Sequence, residues 1–124
     1  MTLEELEERL QVLLDGDAIT ETSHQVTIQV FEELKKRLNR QDIVQAEMLF
    51  THLPMALTRI DEGESVEGPN DDIMEEIRLS PYFEVAEELV AYIEQLWKKE
   101  LPKEEQDFLY MHFSTIINMN LGGV

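Results

Sequence analysis

A histidine and an arginine in the central part of the sequence have the residue types and the spacing that could bind an anion. His52 and Arg59 are seven residues apart, so on an α-helix they lie two turns apart on nearly the same face. A cation beside a histidine suits a phosphate or a carboxylate. The alternative is that His52 only covers the edge of the core. The predicted core stripe of this helix lies next to both residues and consists of Leu49, Phe50, Leu53, Leu57 and Ile60.

An imidazole ring can act as a nucleophile with the help of few other groups. Its unperturbed pKa is about 6.5, so a neutral ring nitrogen is a good nucleophile near neutral pH. It can accept a phosphoryl group from a phosphorylated donor protein if a cation or backbone N–H groups hold the phosphate. The product gains close to two negative charges. Each histidine of the chain is therefore a candidate acceptor of a phosphoryl group.

His112 is the second histidine of interest, and it lies in the last predicted helix. Phe108, Leu109, Ile116 and Met119 surround it at helical spacings. A histidine in such an apolar stripe can also be a core residue whose nitrogens are hydrogen-bonded and do no chemistry. The sequence alone leaves both interpretations open.

His24 forms a single Glu-x-x-His pair with Glu21. Carboxylate-bridged di-iron bundles need two such pairs and two more inward glutamates. The pair therefore favours a surface histidine in a first helical turn, and we predict no metal site.

The motifs of several common enzyme classes are absent from the sequence. There is no His-Glu-x-x-His, no glycine-rich phosphate loop, no Gly-x-Ser-x-Gly and no adjacent His-Asp. The acidic residues fall mostly on predicted solvent faces, and no carboxylate pair stands out for acid–base work. We expect a protein that is not an enzyme and that needs no cofactor.

The composition is that of a strongly acidic globular domain. The chain has 124 residues, 43% of them hydrophobic, with a formal net charge of -17 and no cysteine. Such a charge repels phosphate backbones and anionic membrane surfaces, which argues against direct nucleic-acid or membrane binding. The sequence has no apolar run of membrane-spanning length, and the acidic, periodic N-terminal segment leads us to expect neither a secretory signal nor a transit peptide. We expect a cytoplasmic protein.

Hydrophobic periodicity predicts five or six helices and no convincing strand, which is an all-α, compact helical bundle. We expect one domain over residues 1–119 and a frayed tail over 120–124. The predicted helix starts are Thr2 with Glu5, Thr20 or Thr22, Asp42 with Gln45, Asn70, Ser80 with Pro81, and Pro102. The predicted ends are Gly16, Leu38, Asp61, Leu79, Leu101 and Met119, with Pro54 inside the third helix and a loop from Glu62 to Pro69.

Three segments together resemble the PTS regulation domain (PRD), a helical module of bacterial antiterminators and activators. They are THLPMALTRIDEGESVEGPN (51–70), EEIRLSPYFEVAEELVAYIEQL (75–96) and LPKEEQDFLYMHF (101–113). The family's first His-x-x-x-Ala-x-x-Arg motif corresponds to His52, Ala56 and Arg59. Its second motif corresponds to Leu101, Pro102, Glu104, Glu105 and His112, and its turn asparagine corresponds to Asn70, with Ile77, Tyr82 and Ala86 at expected places between the motifs.

The resemblance implies a regulatory module that senses sugar uptake. HPr or an enzyme II B component would phosphorylate His52, His112 or both, Arg59 would help hold the phosphate, and Glu105 and Asn70 would orient it. Members of the family form homodimers, so the resemblance also implies a homodimer that modulates a transcription or antitermination regulator. Two features depart from the family pattern: Thr51 replaces the aspartate that commonly precedes the first histidine, and we expect a free-standing single PRD, whereas family members usually carry an output segment before two PRDs.

Two alternatives remain. One is a helical dimerisation or interaction adaptor that keeps the fold while its histidines do no chemistry. Full burial of His52 and His112 with both ring nitrogens hydrogen-bonded would favour it, whereas a ring nitrogen of either histidine open to solvent would favour phosphorylation. The other is a metal-dependent helical enzyme, which requires that His24 converge with carboxylates.

Overall fold

The computed structural model describes residues 1–65 and 67–122. Over these two ranges it contains six α-helices, one π-helical turn and no strand, which confirms the predicted all-α class. The chain divides into two compact units, Met1–Ser65 and Val66–Val124, called here the N-terminal and C-terminal units. The expectation of one domain over 1–119 stays a prediction.

The first two helices of the N-terminal unit begin and end where the sequence predicts. Helix α1 spans Leu3–Asp15, and Thr2 and Glu5 form the predicted capping box: the backbone N–H of Glu5 donates to Thr2 Oγ1, and that of Thr2 donates to the Glu5 carboxylate. Helix α2 spans Glu21–Leu38, with Thr20 at its N-cap and Asn39 at its C-cap in the left-handed region.

Helix α3, Glu47–Asp61, begins later than predicted. Asp42 was expected to cap it, and that prediction is wrong: Ala46 occupies the N-cap and makes no side-chain hydrogen bond there. The Asp42 carboxylate instead accepts a 2.6 Å hydrogen bond from the amino group of Met1. Gln45 has a φ of 61°, which is incompatible with a helix that starts before it.

The buried faces of α1, α2 and α3 form the core of the N-terminal unit. Phe31 and Phe50 meet edge to face, with ring centroids 5.0 Å apart. The predicted α3 stripe is buried except for Ile60, which is half-buried. The other fully buried apolar side chains of these helices include Leu6, Leu10, Val30 and Leu34.

The C-terminal unit begins with two helices, of which the first starts where the sequence predicts and the second starts later. Helix α4 spans Asp71–Arg78, and Asn70 caps it as predicted. In this helix Met74 is buried, whereas Ile73 is 40% exposed. Helix α5, Phe83–Trp97, begins later than the predicted Ser80–Pro81 start, because Ser80 forms a turn in which its Oγ accepts from the backbone N–H of Tyr82.

The last helix, α6, spans Lys103–Ile117 with Pro102 at its N-cap, and the chain then continues as one π-helical turn, Asn118–Gly122. The sequence predicted fraying from residue 120, but Asn120 is buried and its amide donates a 2.7 Å hydrogen bond to the Ile116 carbonyl. Residues 123 and 124 of the predicted tail lie outside the described residues. No helix within 1–65 or 67–122 combines the length and apolarity that crossing a membrane requires.

Candidate functional site

His52 lies on α3, beside the core stripe rather than within it. The side chain is half-buried, while its chain neighbours Leu53 and Pro54 are buried. Pro54 has no backbone N–H, so the carbonyl of Phe50 loses its usual partner in the helical ladder. The histidine is therefore held by a well-packed helix and keeps access to solvent.

A buried cluster of hydroxyl groups fixes α3 against the start of α2. Thr58 Oγ1 lies 2.9 Å from Ser23 Oγ and accepts a 3.1 Å hydrogen bond from the backbone N–H of Thr20. It also lies 2.8 Å from the carbonyl oxygen of Pro54. Because Ser23 and Thr58 are buried, these bonds set the position of the helix that carries His52.

An open cleft of about 440 Å³ lies over the exposed edge of α3. The cleft brings together His52 and Arg59, the two residues that the sequence singled out. It also contains Thr51, which stands where the resembling family commonly has aspartate. The remaining side chains that line it are Arg9, Glu47, Met48 and Met55.

Arg9 is a site residue that sequence reasoning missed. It comes from α1, whereas His52 and Arg59 come from α3. Arg9 is exposed and lies on the solvent face of its own helix, so its periodicity resembles that of an ordinary surface arginine. Only the packing of α1 on α3 brings Arg9 to the histidine.

The cleft contains two arginines and one glutamate, although the chain as a whole is strongly acidic. Within residues 1–65 and 67–122, neither Arg9 nor Arg59 is in an ion pair with a carboxylate. The single lining carboxylate, Glu47, lies 3.7 Å from the amino nitrogen of Met1. Two guanidinium groups thus remain able to bind an anion next to His52.

His112 lies in the C-terminal unit, on α6, and is also half-buried. Its ring packs on that of Phe108, one turn earlier, with centroids 4.2 Å apart and planes at 37°. Glu105 lies two turns before His112 on the same helix and is completely buried. The stacked neighbour fixes one side of the imidazole and leaves part of the side chain accessible.

Asn70, another of the residues that the resemblance implicates, has a clear structural role. Its side-chain oxygen accepts a 2.9 Å hydrogen bond from the backbone N–H of Ile73, which caps α4. Gly68, just before it, lies so close to α6 that an added Cβ would be 2.6 Å from the carbonyl oxygen of Glu104. The loop around Asn70 is therefore fixed against the start of α6.

The sequence-predicted site residues are divided between the two units. His52 and Arg59 lie within Met1–Ser65, together with Arg9, whereas Asn70, Glu105 and His112 follow in the C-terminal unit. One cleft thus contains two of the five predicted residues.

His24, the candidate metal ligand, lies near the start of α2 and is half-buried. Its Nδ1 atom is buried and has no hydrogen-bond partner among the residues that the structure describes. Across 1–65 and 67–122, no group of three or more His, Asp or Glu side chains is arranged to hold a metal ion. The described residues therefore provide no set of ligands around His24.

Two pKa shifts occur on α6. The Asp107 carboxylate accepts a 2.8 Å hydrogen bond from Lys103 Nζ and raises the pKa of that lysine. Burial raises the pKa of Tyr110, with smaller contributions from Glu87, Glu94 and Asp107. Both shifts keep the groups protonated at neutral pH, so neither side chain becomes a base.

Comparisons with known proteins give one match. A family profile described as PRD domain matches residues 24–116, which include both His52 and His112. Neither the curated proteins nor the solved structures contain a significant match.

Proposed function

This chain belongs to the PRD domain family, and on that premise we propose that it is regulated by phosphorylation of histidine. Membership gives it, in general terms, a regulatory role linked to the phosphotransferase system and interactions with components of that system. The acceptors, donors and output described below are proposals.

The observation that carries the proposal is the cleft in which His52 lies beside Arg59 and Arg9. A phosphorylated imidazole gains close to two negative charges, which two guanidinium groups can neutralise. His52 is half-buried, so its ring is held in place and can still meet a donor protein. Thr51 cannot orient the ring as a carboxylate would, which leaves the arginines as the main charged groups of the site.

The transfer step needs no proton exchange between the two proteins. The unprotonated ring nitrogen of His52 attacks phosphorus, and a P–N bond forms as the bond between phosphorus and the donor side chain breaks. The donor atom leaves with the bonding electron pair, while the N–H on the other ring nitrogen of His52 stays in place. The arginines stabilise the charge on the phosphoryl oxygens as they pass from donor to acceptor.

His112 is the second acceptor in this proposal. Its contact with Phe108 fixes the ring, and the side chain is half-buried rather than enclosed. Glu105 is completely buried, so in this proposal its orienting role is exerted from inside the C-terminal unit. Asn70 contributes through its cap on α4, which fixes the loop that precedes this helix.

The donors in this proposal are HPr or an enzyme II B component, and the module is a cytoplasmic homodimer. Phosphorylation would change the dimer affinity, or the surface that the module presents to a transcription or antitermination regulator. The net charge of -17 argues against direct binding to nucleic acid or to an anionic membrane. No part of the proposal needs a cofactor or an enzymatic activity of the chain itself.

The competing proposal is an adaptor that has the same fold and is not phosphorylated. It predicts full burial with both ring nitrogens hydrogen-bonded, whereas the side chains of His52 and His112 are both half-buried. This exposure supports phosphorylation over the adaptor.

Phosphoryl transfer in vitro tests the proposal. The full chain is incubated with labelled phosphoenolpyruvate, enzyme I and HPr, with and without a B component. We expect acid-labile label on the wild type and a loss of part of it in His52→Ala or His112→Ala. His24→Ala is the matched control and should keep the wild-type level. Labelling that survives the His52→Ala, His112→Ala double variant would overturn the assignment of acceptors.

A further inference from the structure

We propose that Arg9 is the second phosphate-binding residue of the His52 site, so that the phosphoryl group bridges α1 and α3. The inference rests on the proposed function, because it concerns the phosphate that His52 would carry. It adds a residue that the sequence motif does not contain.

The first argument is position. Arg9 lines the same cleft as His52 and Arg59 but comes from a different helix. An anion in the cleft is therefore approached by cations from two helices. A single arginine can donate two hydrogen bonds to one edge of a phosphate, and a second arginine can bind another edge.

The second argument is charge. The chain has ten Lys and Arg residues against 27 Asp and Glu residues, and two of those ten line this cleft. In the part of the chain that the structure describes, no carboxylate forms an ion pair with either of them. Glu47, the lining carboxylate, has the amino group of Met1 at 3.7 Å, which offsets its repulsion of a phosphate.

The third argument is that α1 lies outside the part of the chain that the family profile matches. The match begins at residue 24, and α1 ends at Asp15. Arg9 is therefore a contribution of this chain's own first helix to the site. If a phosphate bridges Arg9 and Arg59, phosphorylation strengthens the packing of α1 on α3.

The first experiment follows the binding of inorganic phosphate to the full, unphosphorylated chain through the His52 ring signals in NMR. It compares the wild type with Arg9→Gln and with Arg40→Gln, an exposed arginine of the same unit that lines a separate depression. We expect Arg9→Gln to weaken phosphate binding about tenfold, the order of one charge-assisted hydrogen bond. Arg40→Gln should bind phosphate like the wild type.

The second experiment measures labelling by phosphoenolpyruvate, enzyme I and HPr in a His112→Ala background, so that only the His52 site is followed. Arg9→Gln should slow labelling about fivefold relative to Arg40→Gln. Labelling that is equally fast in both variants, or equal phosphate affinities, would overturn the role of Arg9 and leave the proposed function intact. If the chain takes no label but phosphate binding depends on Arg9, the phosphorylation proposal fails while the anion site stands.

Discussion

The hydroxyl oxygens of Ser23 and Thr58 lie 2.9 Å apart and join α2 to α3, the helix that carries His52. Both side chains are buried, so each bond forms away from water. Thr58 also lies within hydrogen-bond distance of the Pro54 carbonyl, two residues beyond His52. The orientation of the histidine helix thus depends on a polar contact inside an apolar core.

Replacing Thr58 with valine tests that contact. The substitution keeps the shape of the side chain but leaves the Thr20 N–H and the Ser23 hydroxyl without this partner. We expect a loss of about 1–3 kcal/mol in the free energy of unfolding, measured by urea denaturation. Thr115→Val is the control, because Thr115 is exposed and its hydroxyl bonds only the Met111 carbonyl. Equal stabilities of the two variants would contradict the role of the buried cluster.

Gly68→Ala should destabilise the protein because no space exists for a Cβ atom. The added carbon would lie 2.6 Å from the Glu104 carbonyl oxygen and 3.0 Å from its Cα, both backbone atoms that cannot rotate away. We expect a cost of about 1–3 kcal/mol, observed as a lower midpoint of thermal unfolding. Gly16→Ala is the matched control, since its nearest contact would be 3.5 Å. A Gly68→Ala variant as stable as the control would show that the loop does not approach α6 so closely.

Asn70→Ala should destabilise the protein by about 1 kcal/mol through loss of the α4 cap. Asn70→Asp should change stability by a few tenths of that amount, because aspartate caps helices about as well as asparagine. Chemical denaturation of the three proteins gives the comparison. An equal loss in both variants would mean that the Ile73 N–H is not the important partner. Labelling of the stable Asn70→Asp variant then tests the orienting role that the family resemblance implies.

The ion pair on α6 should be visible in the titration of Lys103. Asp107 raises the pKa of this lysine above its ordinary value of 10.5. Because the folded-state pKa is the higher one, the stabilisation is fully present below 10.5 and disappears as pH rises through the folded-state value. Carbon NMR of the Lys103 side chain should show a lower pKa in Asp107→Asn. Glu104→Gln, which removes a neighbouring carboxylate, serves as control, and a Lys103 pKa unchanged by Asp107→Asn would contradict the pairing.

The sequence predicted the helices well where local chemistry decides their ends. Thr2, Thr20 and Asn70 cap helices as expected, because a side-chain oxygen there has no stronger partner than the first helical turn. Asp42 had the same local signal but bonds Met1, which is distant in sequence. Ser80 likewise forms a turn instead of a cap. The Asp42 prediction failed because a partner distant in sequence takes the side chain, whereas the Ser80 prediction failed because a local turn precedes the helix.

The candidate site was predictable only in part, for a related reason. His52 and Arg59 share one helix, so their spacing alone places them on one face. Arg9 reaches the same cleft through the packing of α1 on α3, and nothing in the pattern of α1 distinguishes it from a solvent-exposed arginine. Sequence periodicity identifies residues on one face of one helix, whereas contacts between helices need the structure.

The most direct test of the central claim is phosphorus NMR of the full chain after incubation with phosphoenolpyruvate, enzyme I and HPr. The account predicts a phosphohistidine signal that weakens in His52→Ala, weakens in His112→Ala and vanishes in the double variant. No phosphohistidine signal with any donor of the phosphotransferase system would contradict it. The chain would then be a PRD that acts through its helical surface alone.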